Sequence, residues 1–220
     1  MKHATIAIVI AAAAFAGALI AAMLELSALS SPIVNLPAAV AANMATSGVE
    51  HPVTAVLLNF RGYDTLLEIG VLLLALLVVL AVSPREEGSA RAAADPILQT
   101  LACITVPLML LAAVYLLWTG AHRPGGAFQA GAVLGAAAVV LHLAGLLPGW
   151  NAPRRRLRAG LAGGFLIFLG VSAVLLAEGA LLRYPPSAAG ALILLIEASL
   201  TVSLGLILAG LFLFLTREQA

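Results

Sequence analysis

Four carboxylates and an imidazole stand inside or at the edge of long apolar stretches. They are Asp64 and Glu68 in "NFRGYDTLLEIG", Glu178 in "LLAEGALLRYPP", Glu197 in "LLIEASLTVSLG" and His142 in "VVLHLAGLLPGW". A charged side chain at the centre of a bilayer costs at least about 2.5–3.5 kcal/mol, so such groups face a partner or a hydrated interior. The chemistry they offer is proton uptake and release, or a counter-charge for a passing cation. Asp64 and Glu68 are four residues apart and share one helix face, about 6 Å apart along the axis. Asp64, one turn after Arg61, reads as an interfacial residue near a helix start, favoured there by the dipole and paired with that arginine. Glu68 lies a turn deeper and reads as ion-handling. Glu197 is the strongest candidate, about ten residues into an apolar run, with Ser199, Thr201 and Ser203 as hydroxyls for solvating a cation, proton or water.

Glu178 lies nearer an interface, within reach of Arg183, and reads equally well as structural or functional. His142 falls close to a helix end. A neutral imidazole hydrogen-bonded between helices is its plainer reading, and a proton relay its functional one, since histidine titrates near neutral pH. His122 falls in a loop and reads as solvated. A span-embedded histidine without a second nitrogen or sulfur ligand nearby is no metal site.

The elements that carry these groups follow from composition. Of 220 residues, 63% are hydrophobic and 10% charged, against about 25% charged in a soluble domain. That defines an integral membrane protein, and uncharged runs of about 20 residues indicate helices rather than a barrel. A net charge of +1 gives no reason to expect nucleic acid. Cys103 is the only cysteine, which excludes an intrachain disulfide. No GxGxxG, Walker A or HExxH motif occurs, so the reading assigns no catalytic residues, no metal and no cofactor.

The fold expected is an all-α polytopic membrane protein with six transmembrane helices, at about 4–25, 53–82, 96–118, 125–147, 157–182 and 187–215. The first has an apolar run too long for a typical signal-peptide core and reads as a spanning helix. "SPREEGSARAAADP" is the strongest polar break. Placing the N-terminus inside puts Lys2, Arg85, Arg91, Arg154, Arg155, Arg156, Arg158 and Arg217 on the cytoplasmic side. Only Arg61, Arg123 and Arg183 then fall on or near the other. Both termini are therefore expected in the cytoplasm.

Two stretches carry a resemblance. "LLNFRGYDTLLEIGVLLLALLVVLAV" resembles the "DFRGFDTLGE" segment in the C-terminal part of the A subunit of Mrp-type multisubunit Na+/H+ antiporters. It is also similar to the E subunit of energy-converting membrane-bound hydrogenases. "GAHRPGGAFQAGAVLGAAAVVLHLAG" resembles the "GHNAPGGGFIGGLV" motif of the B subunit of the same antiporters, and the last helix, with Glu197, is similar to that subunit's last helix. The sequence departs from these patterns at Leu67, Arg123 and Ala127. The resemblance implies a two-helix A-terminal or hydrogenase-E-like unit at 1–83, a polar cytoplasmic linker at 84–95 and a four-helix B-like unit at 96–220.

It further implies a subunit of a cation/proton antiporter in the bacterial or archaeal inner membrane. The partners would be other membrane subunits and the lipid bilayer, with Na+ and H+ as the ions moved. Glu68, Glu197, Asp64, Glu178 and His142 would lie along the ion route. Pro124, Gly125, Gly126 and Phe128 would form a helix start, with Pro124 preset for the first turn. The competing class is a membrane subunit of a redox-driven, complex I-related assembly such as a membrane-bound hydrogenase. A stand-alone transporter is a third reading, disfavoured because the spans show no repeat symmetry.

Overall fold

A computed structural model describes residues 35–82, 95–147, 155–177, 179 and 181–215, with residues 10, 12–21, 23 and 24. The chain divides into two compact units, Met1–Ala39 and Val40–Ala220. The first contains the apolar helix α1 (Ala12–Ala21). Helix α2 (Leu36–Asn43) runs through the boundary and closes in a 3₁₀ turn, Met44–Thr46.

The second unit is a helical bundle: α3 (Pro52–Ala55), α4 (Gly62–Val82), α5 (Pro96–Thr119), α6 (Ala127–Leu143), α7 (Arg155–Ala177) and α8 (Ala189–Leu215). No strand occurs among the described residues. Helices α4, α5, α7 and α8 are long and apolar enough to cross a membrane. Helix α6, with 17 residues, sits at the lower limit of about 17 for a spanning helix. Local chemistry explains the ends. Asp95 caps α5 by accepting from the Ile97 N–H at 2.8 Å, and Pro96 takes the first helical position.

Helix α8 is the axis of the bundle and packs against α6, α7 and α4, while α5 packs on α6. Small residues bring the backbones together. A Cβ on Gly131 of α6 would lie 2.8 Å from Leu204 Cβ, and one on Gly164 of α7 would lie 2.7 Å from Ser203 Cβ. Such contacts replace the hydrophobic driving force that helices in lipid lack. Ser203 Oγ adds a bond to the Leu161 carbonyl at 2.5 Å. Phe168, Ile69, Ile193, Ile196, Leu200 and Leu204 fill one core; Leu76, Leu161 and Ile207 fill a second. The apolar groups of α5, among them Ile104, Leu108, Leu111 and Trp118, remain exposed, an arrangement that suits lipid or neighbouring subunits and not water.

The expected span at 53–82 is broken. After α3 the chain runs through a single π-helical stretch, Val56–Phe60, and Arg61 leaves helical geometry at φ −131°, ψ 32°. The Arg61 N–H reaches back five residues to the Val56 carbonyl at 2.8 Å. Such an insertion displaces carbonyls from the regular ladder. Thr65 answers it: its Oγ1 donates to the Leu57 carbonyl across the break at 2.6 Å.

Candidate functional site

One end of the second unit gathers three connecting segments. The Glu50 and His51 N–H groups both donate to the Ala121 carbonyl at 2.9 Å, and Thr54 Oγ1 donates to the Gly120 carbonyl at 2.5 Å. Gly48, at φ +77°, packs against Ala189 and Gly190, where a Cβ would stand 2.4 Å from Ala189 Cβ. The start of α3, the α5–α6 turn and the start of α8 are thereby fixed to one another.

Beneath this knot lies a cavity of about 410 Å³ between α3, α4, α6 and α8. Its wall carries Glu68 from α4, Glu197 from α8, Pro124 and Gly125 from the α5–α6 connection, and Phe128 from the first turn of α6. These five residues come from three separate stretches of sequence. The cavity would hold about fourteen waters at roughly 30 Å³ each.

Glu197 is 4% exposed, yet its carboxylate is provided for. It accepts the backbone N–H of Ala127, the first residue of α6. No side chain of that segment caps α6, whose preceding residue Gly126 sits at φ 102°. A carboxylate from another helix therefore takes an orphan donor of the first turn, at the positive end of the helix dipole. That compensates part of the cost of burying an anion. The approach requires glycine: a Cβ on Gly126 would lie 2.6 Å from Glu197 Oε1, and one on Gly120 would lie 3.3 Å from it.

The hydroxyls read as available to solvate a cation, proton or water each donate to a backbone carbonyl. Ser199 donates to the Ile196 carbonyl, Thr201 to the Glu197 carbonyl and Ser203 to Leu161 across the α7 interface. Each satisfies a backbone acceptor, the usual course for hydroxyls in apolar helices. Glu197 lies in the first half of α8, eight residues or about 12 Å from Ala189 and closer to the helix middle than to its start. Pro124 is not at the first turn of α6, which begins three residues later, at Ala127; it lines the cavity instead.

Glu68 is exposed at the cavity's edge. Asp64 does not line the cavity. It is partly exposed and pairs with Arg61, as the i,i+3 spacing predicts. His142 occupies the last turn of α6, sixteen residues or about 24 Å by helical rise from Gly126, and lies outside the site. Glu178 falls outside the described residues. His122 is not merely solvated: its Nδ1 stands 3.0 Å from Glu50 Oε2.

Four polar lining residues went unread in the sequence: His51, Thr54, Thr65 and Gln129. Thr65 carried a signal, three residues before Glu68 on the same face. Gln129 is a lone amide at the start of an apolar helix, and His51 immediately precedes the helix-starting Pro52. Tyr184, ahead of α8, is also buried, and its hydroxyl makes no hydrogen bond among the described residues. Burial pushes its phenol well above the usual range.

A family model for the domain related to the MnhB subunit of Na+/H+ antiporter matches residues 97–215. The chain belongs to that family. It is a multi-pass protein of the cell membrane. The fold is shared with a chain of the membrane-bound sulfane sulfur reductase (MBS), an archaeal respiratory membrane complex. That match has a TM-score of 0.73 at 22% identity and covers 93% of this chain and 97% of that one. It is also similar to a chain of the Mrp complex from Dietzia sp. DQ12-45-1b, with a TM-score of 0.66 at 24% identity over 94% of this chain. This chain spans only 25% of that one. Among curated proteins, none matches significantly.

Proposed function

We propose that the chain is a membrane subunit of a multisubunit cation/proton antiporter and that its carboxylate cavity forms part of the ion route. The observation that carries this reading is the convergence of Glu68 and Glu197, from two different helices, on one cavity floored by the start of α6. Glu197 is the inner, fixed carboxylate and Glu68 the outer one, open to whatever borders the subunit. A cation passing through finds negative charge, while a proton neutralises the same charge. The two ions therefore compete for one compensating role, as exchange requires.

In this reading the chain transports and performs no bond chemistry of its own. Na+ is the cation, other membrane subunits complete the walls, and residues 1–83, 84–95 and 96–220 act as A-terminal-like unit, cytoplasmic joint and B-like unit. The start of the family match at Ile97 supports the last boundary.

The test is Glu197→Gln and Glu68→Gln in the whole complex, assayed for cation-dependent proton transport in vesicles. Glutamine keeps size and an acceptor oxygen for the Ala127 N–H but cannot ionise. Transport should fall with subunit content unchanged. Full transport by both variants would make the carboxylates structural.

A second reading is a membrane subunit of a redox-driven respiratory assembly. The end-to-end correspondence in length with the MBS chain favours it. Identification of the subunits that co-purify in mild detergent decides between the two, since iron–sulfur subunits belong only to the second.

A further inference from the structure

We propose that His51 is the proton-exchange group connecting the carboxylate cavity to the aqueous surface at the knotted end of the bundle. The inference rests on the ion-route reading and adds to it the point at which protons enter or leave.

His51 lines the same cavity as Glu68 and Glu197. Its Nδ1 is buried and makes no hydrogen bond among the described residues. A buried imidazole nitrogen left without a partner is costly as pure structure, and it is available as an acceptor. The backbone is not free to move: the His51 N–H is tied to the Ala121 carbonyl, and Thr54, one turn on, is tied to the Gly120 carbonyl.

On the other side, His51 adjoins Glu50, whose carboxylate meets His122 Nδ1 at 3.0 Å with both side chains more than half exposed. The groups facing it are thus Glu50 and His122 toward the surface, from its own segment and the α5–α6 turn. Glu68 of α4 and Glu197 of α8 face the cavity, with Gln129 of α6 as a neutral amide. The arrangement is graded: a solvated acid–base pair, a half-buried imidazole, then two carboxylates around a space of about 410 Å³.

The step is a proton transfer without redox change. Imidazolium at His51 gives its proton to cavity water and through it to a carboxylate, which becomes a carboxylic acid. The neutral imidazole then takes the next proton from the surface. Run backwards, the same steps release protons. Imidazole suits this place because its two ring nitrogens can take up a proton at one and release a proton from the other.

The experiment uses the intact complex in vesicles. His51→Asn keeps a polar side chain at the start of α3 without titration, and His51→Ala leaves room for a small base. Complex content is measured alongside transport. Both variants should assemble and transport more slowly, and lose the dependence of rate on pH across the neutral range on the side where residue 51 is exposed. Imidazole added on that side should restore the His51→Ala rate while leaving Glu197→Gln unchanged. Wild-type rate and pH profile in both variants would overturn the proposal. So would a slowed rate with an unchanged profile and no rescue, which marks a structural histidine. If Glu197→Gln and Glu68→Gln transport normally, the ion-route reading itself fails; if they fail to transport while His51→Asn is normal, only the role of His51 does.

Discussion

Glu197 and Gly126 approach so closely that one methyl group would part them. A Cβ on Gly126 would lie 2.6 Å from the Glu197 carboxylate oxygen, and the glycine is held at φ 102°. Gly126→Ala is therefore penalised twice. The left-handed backbone costs a non-glycine residue about 1–3 kcal/mol, and the carboxylate must withdraw from the Ala127 N–H. We expect Gly126→Ala to reduce transport at least as much as Glu197→Gln and also to lower the unfolding temperature of the complex in detergent. Glu197→Gln, which retains an acceptor, should leave that temperature nearly unchanged.

Asp64 and Arg61 form an ion pair outside the cavity, with side-chain exposures of 29% and 65%. An exposed pair of this kind contributes about 0–1 kcal/mol. It stands at the restart of the helix after the π-helical break, where the acid also meets the helix dipole. Asp64→Asn should reduce the amount of assembled complex modestly and leave transport per complex unchanged. Arg61→Gln should do the same. Quantitative subunit staining beside vesicle transport checks both, and a loss of transport per complex would place Asp64 on the route after all.

Thr65 holds the break together. Thr65→Val removes the hydroxyl at nearly constant volume and leaves the Leu57 carbonyl without the bond it now accepts. A fully buried acceptor deprived of its partner costs about 1–3 kcal/mol, and this partly buried one costs toward the lower end. Thr65→Val should lower the unfolding temperature of the purified complex, while Thr65→Ser, which keeps the hydroxyl, should recover most of it. Equal temperatures for valine and serine would show that the hydroxyl does not hold the break.

The helices were legible because apolar length and polar breaks report directly on what a bilayer accepts, and Glu68 and Glu197 stood out because charge in such runs is expensive. What could not be read was their meeting. Residues 68, 124–128 and 197 converge only through the packing of α8 against α4 and α6, which glycines at 131 and 205 permit. The donor to Glu197 was hidden for the same reason. Ser199 and Thr201 lie close to it in sequence, but on a helix those hydroxyls reach their own backbone, and the donor to Glu197 comes from another element. The π-helical break falls within "PVTAVLLNF", which carries no charge and only Thr54 and Asn59 as polar residues, so hydropathy passed over it. His51 and Gln129 are polar residues at helix ends, where solvent exposure is the ordinary expectation and only three-dimensional placement says otherwise.

The last prediction concerns orientation. The loop before α3 and the α5–α6 turn are joined by hydrogen bonds from Glu50 and His51 to Ala121 and by the Glu50–His122 pair, so both must lie on one side of the membrane. That side carries Arg61, Arg123 and Arg183, the minority of the basic residues. From the positive-inside bias we expect the cavity end on the outside and both termini in the cytoplasm. Reporter fusions after Ser47 and Arg123 should both report the outside, and fusions after Glu87 and Arg155 the cytoplasm. Opposite reports from Ser47 and Arg123 would contradict the hydrogen-bonded knot itself. Concordant but inverted reports would leave the fold untouched and turn the cavity, with His51 at its mouth, toward the cytoplasm.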